Sequence, residues 1–122
     1  MAQTHNKLVA MILIEASKLP ATRLFKRIGG KLRTPNGGMV QAALPGQADL
    51  YGWVAGHHIE IECKVGKDSL RPEQKAWREL CQKHGVAYHC AHAETDESIQ
   101  AAALRAGAWM SSVQSLRGEQ CN

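Results

Sequence analysis

One segment constrains the fold of this chain more than any other, because its apolar and polar side chains alternate: Ile59-Glu60-Ile61-Glu62-Cys63-Lys64-Val65. Successive side chains of a β-strand point to opposite faces of its sheet, so the alternation predicts a strand with one face toward an apolar core. The other face then carries a row of charged groups, formed by Glu60, Glu62 and Lys64. Because Mg²⁺ prefers carboxylate oxygens and an ammonium group attracts phosphate, the row suits a divalent cation beside an anionic substrate.

A further carboxylate reaches this charged row through a predicted hairpin. Residues 49–54 read as a strand, and a turn follows before the next strand. A two-residue loop at Ala55-Gly56 would place Asp49 opposite Glu62, whereas a loop at Gly56-His57, suited to a type II′ turn, would place it opposite Lys64. Directly opposed residues share a face of the sheet. Either register therefore predicts Asp49 beside the row, with Asp49 and Glu62 as candidate metal ligands.

The simplest alternative is an amphipathic hairpin whose charged row is solvated. The segment after the strand argues against it, because Pro72 is well placed to open a helix and Gln74 lies on that helix's packing side. A glutamine on a packing face needs a hydrogen-bond partner, and the neighbouring carboxylates can supply one. A first-turn capping role for Gln74 is the other interpretation. The packing stripe of this helix is formed by Trp77, Leu80, Cys81 and His84.

Three motifs, in this order, resemble the VRR-NUC nucleases of the PD-(D/E)XK superfamily. They are Pro45-Gly46-Gln47-Ala48-Asp49-Leu50, then Ile59-Glu60-Ile61-Glu62-Cys63-Lys64, then Leu70-Arg71-Pro72-Glu73-Gln74 with Trp77 and Gly85. The resemblance covers about residues 23–93 and implies a restriction-endonuclease-like α/β core that cuts DNA with Mg²⁺, or with Mn²⁺ in its place. It implies that Asp49, Glu62 and the backbone carbonyl of Cys63 bind the metal. It also implies that Lys64 is catalytic and that Gln74 supports the site.

The chain departs from the family pattern at two places. Family members often have Pro just before the motif Asp, and here that residue is Ala48. They also often carry a Glu early in the first helix, and the nearest match by spacing is His5. Glu15 is the only acidic residue before Asp49. We therefore consider Glu15 either a replacement for that carboxylate, and so a candidate catalytic residue, or a member of a structural ion pair.

Basic residues are concentrated between Glu15 and Asp49, where no acidic residue occurs. Such a segment can contact several backbone phosphates, which predicts a DNA-binding surface, although a solvated basic face is the alternative. Its glycines and prolines predict a long connection that acts as a DNA-contacting hairpin or flap. Aromatic residues are few, so stacking on unpaired bases is not the expected mode of recognition. The candidate DNA-binding residues are Arg23, Lys26, Arg27, Lys31, Arg33 and Lys67.

The remaining patterns complete one mixed α/β domain with a central sheet flanked by helices, in the order αβββαβα. A first helix is expected from Thr4 to Leu19, before Pro20, and later elements are a strand at 86–92 and a helix at 96–105. The domain spans residues 1–122, with its core within about 5–107. Residues 108–122 are expected to form a short helix and then to be disordered. Its apolar stripe is Trp109, Val113 and Leu116.

Length and cysteine usage bound the class of protein. A chain of 122 residues has the size of a single domain. No apolar run of about 18 residues occurs, so no membrane span is expected. The four cysteines form no C-x-x-C pair, which favours a reduced, cytoplasmic protein. The cluster of His84, His89, Cys90 and His92 is not expected to bind zinc, because adjacent strand residues point to opposite faces.

These expectations combine into a metal-dependent endonuclease that hydrolyses branched DNA. The resemblance implies a homodimer acting on four-way junctions like a Holliday-junction resolvase, and symmetric cleavage of two strands needs two sites. The first helix or the Trp109 stripe would provide the dimer contact. One alternative is a flap, nicking or restriction-like nuclease that uses the same site. Another is a non-catalytic DNA-binding domain, which would not need Asp49, Glu62 and Lys64 together.

Overall fold

The computed structural model describes residues 2–29, 31–41 and 43–120, and within these ranges it leaves aside the side chains of residues 2, 31, 32, 41 and 114–120. Three α-helices and six β-strands make up this part of the chain, with a short 3₁₀ turn before the last helix. In chain order the elements are α1 (Ala2–Ser17), β1 (Thr22–Lys26), β2 (Lys31–Arg33), β3 (Met39–Gln41), β4 (Leu50–Val54), β5 (His57–Val65), α2 (Pro72–Lys83), β6 (Ala87–Ala93), the 3₁₀ turn (Asp96–Ser98) and α3 (Ile99–Gln120).

The central sheet is mixed and has the strand order β1-β4-β5-β6. Strands β1, β4 and β5 pair antiparallel, whereas β5 and β6 pair parallel with α2 as the connection between them. The predicted α/β class, with a central mixed sheet flanked by helices, is confirmed. The predicted order αβββαβα lacks two strands, because β2 and β3 form a separate antiparallel hairpin within the basic segment.

The β4–β5 hairpin adopts the first of the two predicted registers. Val54 pairs with His57, so the loop consists of Ala55 and Gly56. Both loop residues have positive φ, 50° and 80°, as a type I′ turn requires. Continued beyond the last paired residues, this register sets Asp49 opposite Glu62.

Strand β5 is buried on both faces, which explains why it organises the molecule. Its apolar face, with Ile59 and Ile61, packs under α1 and α3. Its charged face lies under α2, whose side chains contact Glu60 and Glu62. The interpretation as a solvated hairpin is therefore wrong, because the charged row is almost completely buried and side chains of α2 contact Glu60 and Glu62.

The loop before β4 is held against the first turn of α2. Gly46 has φ +86°, and a Cβ atom at this position would lie 2.2 Å from the carbonyl oxygen of Glu73. Only a residue without a side chain can make this approach. Ala48, at the place where the family often has Pro, is fully buried. The loop thereby presents Asp49 at a fixed position beside β5.

The C-terminal region differs from the prediction, because α3 runs without interruption through residue 120. Met110 and Val113 are buried in the main core, so the core extends beyond residue 107. Trp109 packs against the core and stacks on the ring of His89, with centroids 4.9 Å apart. The expected dimer contacts are thus used inside the protomer as far as Val113, and the side chain of Leu116 lies outside the described residues. Residues 121 and 122 are also outside them.

The bounds of α1 and the burial of the α2 stripe differ slightly from the expectations. Helix α1 begins and ends about two residues earlier than predicted, and its Leu8 and Ile12 are fully buried. On α2 the predicted packing stripe is only partly buried, because Leu80 and His84 are exposed while Cys81 is not. In the described part of the chain, no helix is both long enough and apolar enough to cross a membrane.

Candidate active site

The loop before β4 brings Asp49 to the charged row of β5. One oxygen of its carboxylate, Oδ2, accepts a hydrogen bond from the backbone N–H of Cys63 at 2.9 Å. Residue 63 lies between Glu62 and Lys64, so the Asp49 carboxylate is fixed at the centre of the predicted motif. The structure therefore brings together the residues that the sequence had assigned to metal binding and catalysis, Asp49, Glu62, Cys63 and Lys64.

The charged row is almost completely removed from solvent. The exposed fractions of Glu60, Glu62 and Lys64 are 2%, 3% and 6%. Burial of an ionised group is costly unless it is paired or binds an ion. The Lys64 ammonium makes no hydrogen bond or ion pair with any described residue. Such a group is available to an anionic ligand.

Glu62 is the most strongly perturbed acid that the structure describes. Burial, a hydrogen bond with Asp49 and the charge of Asp49 raise the pKa of Glu62 to about 9, against the weaker opposing effect of Lys64 and Arg71. Its Oε2 atom is buried and has no hydrogen-bond donor among the described residues. Two states can satisfy this oxygen. It can carry a proton, which the Asp49 carboxylate then accepts in a hydrogen bond, or it can bind a cation.

Gln74 fulfils both roles considered for it. Its Oε1 accepts a hydrogen bond from the backbone N–H of Arg71 at 2.9 Å, which is the capping role at the start of α2. Its Nε2 donates to Glu62 Oε1 at 3.5 Å. The capping bond fixes the amide so that its donor faces the carboxylate. Gln74 therefore orients Glu62 and occupies one of its two oxygens.

His5 also lies at the site, although the sequence analysis did not assign it there. Its Nε2 atom is 3.3 Å from Asp49 Oδ2, and both side chains are about one-third exposed. The available signal was its spacing, because His5 stands where the family often has an early Glu and shares a helical stripe with Leu8 and Ile12. A neutral imidazole can orient the Asp49 carboxylate or serve as a ligand itself.

Two other residues near Glu62 were not predicted. Arg71, just before α2, is close enough for its charge to lower the pKa of Glu62. The hydroxyl of Tyr88 on β6 is buried without a hydrogen-bond partner among the described residues. Burial and the charge of Glu62 raise the pKa of Tyr88. Arg71 belongs to the third motif but had no role assigned to it, whereas Tyr88 belongs to none of the motifs. Only the β5–β6 pairing shows that Tyr88 is nearby.

Glu60 has a different environment from Glu62, although the two lie on the same face of β5. Its Oε1 accepts hydrogen bonds from Trp77 Nε1 at 2.9 Å and from Arg27 Nη2 at 3.1 Å. These bonds attach α2 and the end of β1 to the central strand. With two strong donors already in place, Glu60 acts as a structural anchor.

Arg27, a candidate DNA-binding residue, makes its contacts within the protomer. Its guanidinium lies in the ion pair with Glu60, donates from Nε to the carbonyl of Ala48 at 2.9 Å and lies 4.4 Å above the ring of Tyr51. Its backbone N–H also donates to the carbonyl of Asp49 at 2.7 Å. Arg27 therefore fixes the loop that carries Asp49. The reason is strand alternation, which turns residue 27 toward the same face as Glu60.

Glu15 is placed away from the site. It forms an ion pair with Lys18 at 2.6 Å and lies against Gly107 of α3. The structure thus supports the ion-pair interpretation, and Glu15 is not gathered with Asp49 and Glu62. Its helix presents His5 to the site three turns earlier, so residue 15 cannot reach the same place.

The other basic candidates are on the surface. The exposed members are Arg23, Lys26, Arg33 and Lys67. Arg33 belongs to the β2–β3 hairpin, as does Lys31, whose side chain lies outside the described part of the structure. The hairpin that the sequence analysis expected in this segment is therefore present. Lys67 lies in the turn two residues after the end of β5 and is exposed.

The residues at the site fit a hard divalent cation. Asp49 and Glu62 supply carboxylate oxygens, one of them unpartnered, and this type of ligand suits Mg²⁺ or Mn²⁺. Among the described residues, no three His, Cys, Asp or Glu side chains form a complete metal-binding group. This is compatible with the predicted ligand set, which consists of two carboxylates and a backbone carbonyl.

Comparison with known proteins gives no relative from which a function could be transferred: no family model, no curated protein and no solved structure matches the chain. Any function of the chain must therefore be inferred from the motif resemblance and from the site geometry.

Proposed function

We propose that this chain is a metal-dependent DNA endonuclease of the VRR-NUC type, with the PD-(D/E)XK core that the motifs imply. The observation that carries the proposal is Glu62: a buried carboxylate with one unpartnered oxygen, held beside Asp49 and Lys64. A structural carboxylate in this position would have donors on both oxygens, as Glu60 nearly does. A buried carboxylate that lacks a hydrogen-bond donor and lies next to a second acid is energetically unfavourable, and such groups are typical of functional sites.

Each residue has a defined task in this proposal. Asp49, Glu62 and the Cys63 carbonyl would hold Mg²⁺, which would polarise the scissile phosphate and lower the pKa of a water molecule. Lys64 would donate hydrogen bonds to the phosphate or to the attacking water and would offset negative charge in the transition state. Gln74 fixes the orientation of Glu62.

The positioning of Asp49 is supported independently. The Cys63 N–H and the His5 ring both contact its Oδ2 atom. Both of these contacts use Oδ2, which leaves the second oxygen, Oδ1, for a cation or for the proton of Glu62. The two carboxylates are therefore each oriented through one oxygen, which leaves the other oxygen for a shared ligand. Preorientation of this kind reduces the cost of assembling a metal site.

Branched DNA is the proposed substrate, and a homodimer is the proposed active form. This part of the proposal rests on the family resemblance, because two sites are needed to cut two strands symmetrically. Trp109 and Val113 pack on the protomer's own core, so these two residues would not make the dimer contact. A flap or nicking nuclease is the alternative that requires only one site.

The test is cleavage of a panel of linear duplex, flap and four-way DNA. We expect Mg²⁺ or Mn²⁺ to support cleavage, branched substrates to be preferred and EDTA to abolish the reaction. Sedimentation of the same sample should give about twice the 13.3 kDa chain mass. Undiminished cleavage in excess EDTA would refute the metal mechanism. A strictly monomeric species, free and DNA-bound, would exclude paired junction cleavage and favour the flap or nicking alternative.

A further inference from the structure

Only part of the sheet face that carries the charged row is covered by a helix. Helix α2 lies over the β5 end of this face, whereas the β1 and β4 end presents aromatic side chains to solvent. Phe25 is 39% exposed and Trp53 is 48% exposed. Tyr51 completes the group through its pairing with Phe25 across β1 and β4. We name these three residues, Phe25, Tyr51 and Trp53, the aromatic platform.

The platform is ordered by contacts between its own rings. The Phe25 ring centroid is 5.5 Å from that of Tyr51 and 5.6 Å from that of Trp53, with interplanar angles of 31° and 59°. Arg27 holds Tyr51 from the other side, with its guanidinium carbon 4.4 Å from the ring centroid. The rings line an open groove of about 620 Å³. Two inclined, exposed ring faces are thus fixed before any ligand binds.

The charges around the platform favour an anionic ligand. Arg23 lies directly across from Trp53 on β1, and His58 lies across from it on β5. The acid of this face that is nearest, Glu60, is paired with Arg27. No acidic side chain lines the groove itself among the described residues. A ligand with flat rings and a phosphate backbone matches exposed aromatic side chains beside the exposed Arg23.

The platform lies on the same face of the sheet as the proposed active site. Tyr51 is paired with Glu60, and Glu60 lies two residues from Glu62 on the same strand. Residues two apart on a strand are separated by about 7 Å, and neighbouring strands by about 5 Å. The nearest platform ring is therefore within about 10 Å of the metal-binding carboxylate. This spacing corresponds to a few nucleotides of a single strand.

We infer that the aromatic platform binds unpaired nucleobases of the DNA strand that enters the site. The inference deepens the proposed function by naming the recognised part of the substrate: unpaired nucleotides at a branch or flap, next to the phosphodiester that is cut. It differs from the expectation from composition, which did not favour stacking on unpaired bases. The chain has three Trp, two Tyr and one Phe, but the β1–β4 pairing places three of these six rings on one surface.

The experiment compares two labelled oligonucleotides of equal length and charge, oligo-dT and its fully abasic counterpart, by fluorescence anisotropy in EDTA. The wild type should bind oligo-dT more tightly by about 5- to 100-fold, the range expected for stacking of one base. Trp53→Ala should remove most of this preference, whereas Trp53→Phe should retain much of it. The matched control is Leu104→Ala on α3, a similarly exposed apolar side chain away from the platform, which should change nothing.

Equal affinity for the two oligonucleotides would overturn the inference, and so would a preference that survives both Trp53→Ala and Phe25→Ala. If Trp53→Ala instead converts a dimer into a monomer and leaves the preference unchanged, the platform is an interface between copies of this chain. Because the measurement needs neither metal nor cleavage, it is independent of the nuclease proposal. Loss of cleavage with base-dependent binding intact would refute only the proposed function.

Discussion

Replacement of Glu62 by Gln should stabilise the metal-free protein while removing its activity. Burial and the neighbouring Asp49 raise the pKa of Glu62 to about 9, so the folded protein holds this proton at neutral pH whereas the unfolded chain, with a pKa of 4.5, does not. An acid whose pKa is raised by folding contributes its full stability below the unfolded pKa. It loses that stability as the pH rises toward the folded pKa.

The size of the effect follows from the two pKa values. Between them, the free energy of unfolding falls by about 1.4 kcal/mol per pH unit. At about pH 7.5 the accumulated loss is up to about 4 kcal/mol, as three pH units separate this pH from the unfolded pKa. Gln has the shape of the protonated carboxyl, so it keeps the packing and the contact with Gln74 but has no proton to lose. We therefore expect Glu62→Gln to match the wild type near pH 4.5 and to exceed it increasingly at higher pH.

The assay is urea unfolding in EDTA, followed by circular dichroism, over about pH 5 to pH 9. The matched control is Glu60→Gln, the same substitution on the same face of the same strand. It should destabilise the protein by about 3 kcal/mol, because it breaks the buried ion pair with Arg27. If Glu62→Gln lowers stability at every pH, or differs from the wild type by a constant amount, the description of Glu62 as an unfavourable buried acid is wrong.

Three further results are expected. Metal binding at neutral pH should release about one proton, because the cation displaces the proton of Glu62. The affinity for the metal should therefore rise about tenfold per pH unit up to about pH 9. Calorimetry in buffers of different ionisation enthalpy measures the proton release, and a pH-independent affinity would contradict the prediction. Replacing Arg33 and Lys67 together by Ala should reduce the slope of log affinity against log salt by about 2 without changing stability; an unchanged slope would exclude these residues from the DNA contact. Gly46→Ala should lower the free energy of unfolding by at least about 2 kcal/mol, because the added Cβ clashes with α2 and the φ angle is unfavourable. Gly37→Ala has the same φ region but open space, so it should lower the free energy of unfolding by about 1 kcal/mol. Equal losses in a urea titration would show that the contact with α2 does not restrict residue 46.

The strand pattern predicted the grouping of Asp49, Glu62 and Lys64 because this grouping depends only on strand alternation and on one short hairpin. The alternation of β5 and the two hairpin registers considered both predict Asp49 beside Glu62 and Lys64, and the structure has the first of these registers. The same pattern did not show whether the charged face was wet or buried. That depends on α2, which covers the row, and the sequence only indicated this through the placement of Gln74.

What the sequence analysis missed depends on pairings between distant segments. Arg27 appeared to be one of several equivalent basic residues, but its strand position turns it toward Glu60. The exposed aromatic platform is invisible in composition, because its members come from β1 and β4 and meet only through their register. His5 was passed over because an imidazole does not resemble the expected carboxylate, although its spacing was right.

The interpretation of α3 failed for a different reason. Residues 96–105 and the Trp109 stripe were treated as separate elements, although no proline divides them. Gly107, which weakens the helical pattern locally, is tolerated because it packs against Glu15 of α1. A glycine inside a helix was thus a packing feature and not a boundary.

Single-turnover cleavage by Lys64→Met tests whether Lys64 acts on the scissile phosphate at the Asp49 and Glu62 site. Methionine keeps the length of this buried side chain and removes only the charge. With Mg²⁺ present, we expect the cleavage rate to fall at least about 100-fold while DNA affinity changes only a few-fold, since the interaction operates in the transition state. The control, Lys67→Met at an exposed position three residues later, should weaken binding slightly and cut at the wild-type rate. Cleavage by Lys64→Met at the wild-type rate would contradict a role for Lys64 in the transition state.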